Sequence, residues 1–422
     1  MYFRSVRRGF SKASESVIAG LDIGASKVCC AIAKIEASGE LRVAGIGYHG
    51  SRGIKGGTII DMEALQSAVA QAVHMAEDAA DVTLSELYVA ISPAICASKT
   101  VKVELPVAGH PVDETDIKKI VQLAIGSVHS EALMGIHNIP LSYEIDGITG
   151  VRDPRGMFGD MLRSKIHMIF ANKTPLRNIT ACVERAHLDV LGFVASVYAS
   201  GLSTLVEDEL DLGVTLLDMG AGSTSIGIFY GGKLGYVDQI PIGGAHVTSD
   251  IARCFSTPLN QAERLKTLHG SAMISPTGMR EMIQVPQIGD ESGSKGVQIS
   301  KGELTQVIRP RIEEIFETVR VKLASHPMYK IAGRRMVLTG GASLMPGMVE
   351  MAGMILDKQG RLGKPLHLQG MTEGARIPSF ASTAGLLIYG QRQRGPVTFA
   401  PPRKESLRNP LGRVGEWFRE NI

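Results

Sequence analysis

The sequence predicts an α/β fold made of two related halves, with a small α+β unit inserted into the first half. Strand-like apolar runs alternate with helical ones along 422 residues, a length too great for one compact core. The opening stretch IAGLDIGASKVCCAIA is matched, almost half a chain later, by LGVTLLDMGAGSTSIGIFYGGKL. Each stretch is an apolar strand, an Asp-x-Gly turn and a second strand, which is typical of an internal repeat. Between about residues 92 and 165 the pattern changes, and this segment is predicted to be the inserted unit.

The spacing of apolar residues predicts the secondary structure in chain order. Apolar runs bounded by turn residues predict strands at 16–33 (a pair around a glycine turn), 41–48, 87–92, 100–105, 165–171, 212–234 (again a pair) and 335–343. Helical spacing predicts helices at 61–80, 113–128, 176–186 and 260–270. The helix at 113–128 opens with VDETDIKKI, in which Asp113 is expected to cap the first turn.

Composition favours a folded protein and excludes several classes of function. Apolar residues make up 44% of the chain and charged residues 21%, which is typical of globular domains. The net charge of +3 is too small to predict a nucleic-acid partner. The five cysteines lack the spacing of a zinc site or a disulfide framework, and no apolar run is long enough to span a membrane. We therefore expect a protein of the reducing cytoplasm whose contact with any membrane is peripheral.

The two Asp-x-Gly turns are candidate phosphate-binding loops. Small residues in a turn between strands let phosphate oxygens approach the backbone N–H groups closely. One such turn alone is more often an ordinary hairpin, but two matching turns favour a shared site. The predicted contacts are Gly24, Ala25, Ser26 and Lys27 in the first turn, and Gly220, Ala221, Gly222, Ser223 and Thr224 in the second. Lys27 either neutralises phosphate charge or is an ordinary surface lysine.

Asp22 lies at the end of the first strand of the first half, and Asp218 at the end of the first strand of the second half. Both are candidates for holding Mg²⁺. They would hold the ion through water, because Mg²⁺ favours one or two carboxylates together with phosphate oxygens. The buried strand at 335–343 carries Gly340 and Gly341, followed by Ala342, and bare backbone here can lie against a base or a ribose.

Glu263 and Lys266 lie three residues apart on the helix at 260–270. This spacing is typical of a solvated ion pair; alternatively, Glu263 accepts a hydrogen bond from a ribose hydroxyl and Lys266 lies near the base. Hydrolysis needs a residue that orients water, and in FVASVYASG the only short polar side chains are Ser196 and Ser200. Neither is a good base, so the catalytic residue stays unassigned and slow or absent turnover is expected.

These motifs, in this order, resemble the two phosphate loops and the adenosine loop of the actin/sugar-kinase/heat-shock ATPase superfamily. A more specific resemblance, to the FtsA family of bacterial cell-division proteins, extends over residues 17–390. The stretches that carry it are SRGIKGGTIIDMEAL, IPLSYEIDG, DPRGMFGDML, GGAHVTSDIA, AERLKTLHG and STAGLLIYG.

The resemblance implies an actin-like, two-lobed protein that binds ATP, and the predicted Mg²⁺ would accompany the nucleotide. A member of this family would polymerise on the cytoplasmic face of the bacterial inner membrane, at the division site. It would tether filaments of the tubulin-like FtsZ there and help to recruit later divisome membrane proteins. Two alternatives stay open: another actin-like assembly ATPase, of the cell-shape filament or pilus platform type, and a metabolic kinase on the same scaffold.

The resemblance also implies a division into domains. The inserted domain would contact later divisome proteins, and the outer domain would bind the C-terminal peptide of FtsZ. The segments are a flexible basic N-terminus (1–16), a first inner domain (17–91 and 166–205), the inserted domain (92–165), a second inner domain (206–245 and 303–394), the outer domain (246–302) and a linker (395–410).

The final segment, 411–422, is predicted to be an amphipathic membrane-targeting helix. The residues that share its apolar face are Leu411, Val414, Trp417, Phe418 and Ile422. Charged residues occupy the opposite face, and the basic linker before the segment suits anionic headgroups. The alternative is a terminal helix that docks on the body of the protein, which the prolines of the linker disfavour.

Overall fold

The computed structural model describes residues 17–394 apart from 129, 275–279, 290–295 and 367. In this part of the chain, no helix is both long and apolar enough to cross a membrane. The predicted segments that lie outside the described residues are 1–16, 395–410 and 411–422.

The first half alternates strands and helices as predicted. Its elements before the inserted unit are β1 (Val17–Ile23), β2 (Lys27–Ile35), β3 (Leu41–Gly50), β4 (Ile54–Lys55), β5 (Thr58–Ile59), α1 (Met62–Ala80) and β6 (Glu86–Ile91). Helix α1 begins where predicted because Asp61 Oδ1 accepts hydrogen bonds from the N–H groups of Glu63 and Ala64, both at 3.0 Å. Its apolar face packs on β2 and β3 and closes the first hydrophobic core.

The inserted unit is an antiparallel sheet with one helix. Its elements are β7 (Cys96–Pro106), α2 (Glu114–Ser127), β8 (Leu133–Ile145), β9 (Ile148–Val151) and β10 (Met161–Asn172). The sheet order is β7-β10-β8-β9. The Asp113 cap is confirmed, since its carboxylate accepts from the N–H of Asp116 at 3.0 Å. Strands β7 and β10 are longer than predicted because charged residues alternate with apolar ones along their half-exposed ends.

The chain then completes the first half and forms the second. The elements that complete the first half are α3 (Lys173–Glu184), β11 (Asp189–Ala195) and α4 (Ser196–Thr204). Those that follow are α5 (Glu207–Leu212), β12 (Val214–Met219), β13 (Thr224–Tyr230), β14 (Lys233–Ile240), α6 (Gly244–Cys254), α7 (Leu259–His269), β15 (Met282–Val285), β16 (Val297–Ser300), α8 (Lys301–Ala324), β17 (Arg335–Thr339), α9 (Met348–Leu356), β18 (Gln359–Leu362) and α10 (Ala381–Arg394).

The predicted repeat is confirmed by the topology of two five-stranded sheets. Their orders are β11-β6-β1-β2-β3 and β14-β13-β12-β17-β18. In the first sheet β1 is antiparallel to β2 and parallel to β6; in the second, β12 is antiparallel to β13 and parallel to β17. The strand that carries Asp22 and the strand that carries Asp218 therefore occupy the same central position in their sheets.

Two features of the structure differ from the sequence-based predictions: the end of one strand, and the half on which the last helix packs. The strand predicted at 335–343 ends at Thr339, because Gly340 adopts a left-handed conformation with φ +83° and a single 3-10 turn follows at Gly341–Leu344. Helix α10, which the predicted division groups with the second inner domain, packs on β1 and α4 of the first half. The end of the described chain thus returns to the sheet where it began.

Candidate functional site

A cleft of about 540 Å³ is lined by residues that follow β1 in the first half and β12 in the second. This volume is typical of small-molecule sites. All but one of the predicted site residues line it: Asp22, Gly24, Ala25, Ser26, Lys27, Asp218, Gly220, Ala221, Gly222, Ser223, Glu263, Lys266, Gly340, Gly341 and Ala342. The exception is Thr224, which is fully buried and whose Oγ1 donates to the carbonyl of Ile242 at 2.9 Å.

The two Asp-x-Gly turns have the same local geometry. The N–H of Gly24 donates to the carbonyl of Lys27, and the N–H of Gly220 donates to the carbonyl of Ser223, both at 2.9 Å. These bonds close each turn between its two antiparallel strands. The repeated sequence therefore produces two equivalent turns, one in each wall of the cleft.

The carboxyl groups of Asp22 and Asp218 lie close enough to interact. Burial, and then the charge of Asp218, raise the pKa of Asp22 to about 6, although Lys27 opposes the shift. Burial also raises the pKa of Asp218, whose Oδ2 accepts a hydrogen bond from Ser200 Oγ at 2.6 Å. Two neighbouring carboxyl groups whose pKa values are both raised resist carrying a negative charge at the same time. Such a pair suits a divalent cation, because the ion would neutralise both charges. Their chemistry therefore fits the predicted Mg²⁺.

We predict a pH-dependent stability effect of the Asp22 carboxyl. Because its pKa is raised from 3.8, this group stabilises the fold most fully below about pH 4, and the contribution is lost as the pH rises through about 6. Without Mg²⁺ or nucleotide, Asp22→Asn should unfold at a higher temperature than the parent protein at pH 8. The difference should shrink towards pH 4 in thermal unfolding measured by circular dichroism. A difference that is constant across this pH range would contradict the raised pKa.

Lys27 belongs to the wall of the cleft and is not an ordinary surface lysine. Its Nζ lies 3.4 Å from the centroid of the Phe380 ring and donates to Ser379 Oγ at 3.4 Å. Burial lowers the pKa of the Lys27 ammonium group, and the negative charge of Asp22 opposes this shift. The segment before α10 thus holds a cation beside the first turn.

Glu263 and Lys266 form an ion pair at 2.6 Å, and the pair also docks α7 onto α6. Lys266 Nζ donates to Thr248 Oγ1 at 2.9 Å and to the carbonyl of Gly244 at 3.1 Å. The Lys266 side chain is 13% exposed, whereas that of Glu263 is 54% exposed. Glu263 therefore keeps a carboxylate face open to solvent at the cleft, while Lys266 holds the start of α6 against the second turn.

Gly340 lies where no side chain fits. A Cβ atom built on this residue would be 2.5 Å from Asp218 Oδ1 and 2.5 Å from the carbonyl oxygen of Met219. Its φ of +83° is also unfavourable for any residue with a side chain. The end of β17 thus brings bare backbone directly against the acidic floor of the cleft.

Several cleft residues were not predicted from the sequence. They are the polar Ser92, Ser225, Ser379 and Ser382, the turn residue Gly57, and apolar residues that include Ile312, Ile315, Leu344, Met345 and Met348. Ser225 had a sequence signal, because neighbouring residues of a strand point to opposite faces and Thr224 precedes it. The apolar residues of α8, of the segment before α9 and of the first turn of α9 give one part of the cleft a hydrophobic wall.

Two α/β halves that enclose such a cleft define the class of actin-like ATPase folds. The structure resembles a chain of a PilM-PilN type IV pilus biogenesis complex, with a TM-score of 0.63 and 17% identity over 89% of this chain and 98% of that one. It also resembles MreB5 of Spiroplasma citri bound to ADP, with a TM-score of 0.54 and 15% identity over 88% of this chain and 95% of that one.

Sequence comparisons narrow this class to one family. The family model described as "Cell division protein FtsA" matches residues 215–385, and the model "SHS2 domain inserted in FTSA" matches residues 94–170. The chain is 37% identical to the cell division protein FtsA of Agrobacterium fabrum, over 96% of this chain and 95% of the relative. Against FtsA of Escherichia coli K12 the identity is 31%, over 96% and 98%. The chain belongs to the FtsA family and is an actin-like cell-division protein.

Proposed function

We propose that the cleft binds ATP together with Mg²⁺. The observation that carries this proposal is the pair of equivalent Asp-x-Gly turns, with Asp22 and Asp218 on the floor between them. The turns present small residues and backbone N–H groups for the phosphates, and Lys27 adds positive charge. Mg²⁺, held through water by the two aspartates, would neutralise the phosphate charge. Among the solved structures of similar fold, MreB5 of Spiroplasma citri has structures bound to ADP and to AMPPNP, which supports a nucleotide in this kind of fold.

The other end of the cleft suits a nucleoside. The hydrophobic wall from α8, from the segment before α9 and from the first turn of α9 is apolar enough for a base. The exposed carboxylate of Glu263 can accept a hydrogen bond from a ribose hydroxyl, and the bare backbone at Gly340, Gly341 and Ala342 allows a close approach. In the described part of the chain, Asp22, Asp218 and Glu263 are the only acidic residues that line the cleft. This donor set favours nucleotide binding over phosphoryl transfer to a hydroxyl substrate, for which a further base is needed.

We further propose that the protein polymerises on the cytoplasmic face of the inner membrane at the division site and tethers FtsZ filaments there. Membership of the FtsA family supports this role. In this proposal the outer domain (246–302) binds the C-terminal peptide of FtsZ, and the inserted domain (92–165) contacts later divisome proteins. The segment 411–422 attaches the protein to anionic lipid as a peripheral membrane protein.

A vesicle flotation assay tests the tethering role. FtsZ filaments, vesicles with anionic lipid and this protein are mixed with Mg²⁺ and ATP, and the vesicles are then floated on a density gradient. We expect FtsZ to float with the vesicles only when this protein is present, because in this proposal the protein binds both FtsZ and lipid. FtsZ without its C-terminal peptide is the matched control and should stay at the bottom. Flotation of the truncated FtsZ equal to that of the full protein would contradict the proposal.

A further inference from the structure

A side-chain hydrogen bond joins the two halves at the cleft. Ser92 follows β6 in the first half and lines the cleft, and Gln239 lies on β14 in the second half. Ser92 Oγ donates to Gln239 Oε1 at 2.7 Å, although the two residues are 147 positions apart. Gln239 also pairs in register with Ser225, a second hydroxyl residue of the cleft wall. Neither Ser92 nor Gln239 has a part in the nucleotide contacts proposed above.

This bond determines what Ser92 offers to a ligand. A hydroxyl group has one proton to donate and two lone pairs that accept. The proton of Ser92 is directed to Gln239, and the N–H of Ala94 donates to Oγ at 3.3 Å. Among the described residues no further group donates to this oxygen, so one lone pair remains and Ser92 can accept a hydrogen bond from the cleft but cannot donate one. Phosphate oxygens are acceptors as well, whereas water is a donor, and Ser92 therefore favours water over phosphate.

Gly57 keeps the Ser92 hydroxyl accessible. It lines the cleft with φ +81°, and a Cβ atom built on it would lie 3.0 Å from Ser92 Oγ. Its neighbour Gly56 lies close to the second phosphate turn, since the backbone nitrogen of Gly56 is 3.7 Å from a Cβ built on Gly222. Ser92 therefore lies at the phosphate end of the cleft, where an attacking water would be needed.

We propose that Ser92 orients the water that attacks the terminal phosphate of ATP, and that Gln239 is the positioning residue that makes Ser92 an acceptor. This inference rests on the proposed binding of ATP. The water oxygen bonds to the terminal phosphorus as the bond from that phosphorus to the bridging oxygen of ADP breaks, and the water proton ends on the released phosphate. Ser92 accepts the hydrogen bond from the other hydrogen of the water and is not itself the base. Because Gln239 comes from the opposite half, the water site is complete only when both halves are in this arrangement.

Three variants of the full-length chain separate this role from a structural one. Gln239→Leu removes the acceptor that holds the Ser92 proton, and Ser92→Ala removes the hydroxyl group. The measurement is the release of phosphate from bound Mg-ATP in a single turnover. Each of these two variants should slow that release by about 10-fold or more. Gln239→Glu keeps an acceptor and should release phosphate at a rate close to that of the parent. The dissociation constant for fluorescent ATP should change less than about 3-fold in all three, since none of these groups contacts phosphate.

Ser98→Ala is the matched control. Ser98 lies on β7, and its Oγ donates at 3.3 Å to the carbonyl of Val237 on β14, the strand that also carries Gln239. Ser98 lies outside the cleft lining. This variant should release phosphate at the parent rate. Unchanged release in Gln239→Leu and Ser92→Ala, or no release by a parent that binds ATP, would overturn this inference alone. If the two variants lost ATP affinity by the same factor as the rate of phosphate release, Ser92 and Gln239 would have a structural role. That result would also overturn the inference. A parent that binds no ATP would overturn the proposed function as well.

Discussion

Replacing Asp218 with asparagine is expected to weaken the Mg²⁺-dependent binding of ATP by roughly 10- to 100-fold. The substitution removes one of the two negative charges that would hold the ion, and it leaves the shape of the side chain unchanged. The amide oxygen can still accept the hydrogen bond from Ser200 Oγ, which is 2.6 Å from the carboxylate. The geometry of the second turn should therefore persist. Equilibrium binding of ATP, titrated with Mg²⁺ and again with a chelator, measures the effect.

The same variant provides an internal control through Asp22. The charge of Asp218 is one cause of the raised pKa of Asp22, so its removal should lower that pKa. Without Mg²⁺, the stability lost between pH 4 and pH 8 should then be smaller in Asp218→Asn than in the parent. Ser200→Ala, which removes only the hydrogen bond, should weaken Mg²⁺-dependent binding less than Asp218→Asn. An Mg²⁺ dependence of ATP binding that is the same in the variant and the parent would exclude Asp218 from the ion site.

The parts of the site that the sequence predicts are those that a few neighbouring residues encode. An Asp-x-Gly turn between two apolar strands folds locally, so its repetition predicted both turns and their equivalence. The Asp113 cap was predictable for the same reason, because its partner is three positions away. The spacing of Glu263 and Lys266 indicated their contact, although the docking of Lys266 on Thr248 had no local signal.

Contacts between distant segments had no such signal. Ser92 was not predicted because a single serine after a strand has no pattern, and its partner Gln239 is 147 positions away. The contact of Lys27 with Ser379 joins residues 352 positions apart and depends on the return of the chain to the first sheet. In β13 the prediction named Thr224, but the alternation of the strand brings Ser225 to the cleft and directs the Thr224 hydroxyl to Ile242. The sequence identifies Thr224 and Ser225 as adjacent polar residues, and the register of the sheet determines that Ser225 is the one that lines the cleft.

The substitution Trp417→Glu is expected to abolish recruitment to vesicles. Trp417 belongs to the apolar face that the sequence predicts for 411–422, a segment outside the described residues. Five apolar side chains, at roughly 1.5–3 kcal/mol each, contribute at most about 7–15 kcal/mol to membrane binding of the predicted helix. The conformational entropy lost in ordering a short helix costs about 1 kcal/mol or more per residue and offsets most of this. One such anchor would therefore bind weakly, and a charge in its predicted apolar face should remove the remaining affinity.

If 411–422 is the proposed anchor, weak single anchors would make polymerisation decisive for membrane attachment. A filament would align many copies of 411–422, and simultaneous contacts would raise the overall affinity by avidity without any new contact. If bound ATP favours the polymer, the nucleotide controls attachment through the number of anchors. Flotation with vesicles in the presence of Mg-ATP measures the effect, and Trp417→Phe, which keeps an apolar aromatic ring, is the matched control that should float. The Trp417→Glu variant should bind ATP as the parent does and remain at the bottom of the gradient. Flotation of Trp417→Glu equal to that of the parent would assign the membrane contact to another part of the chain.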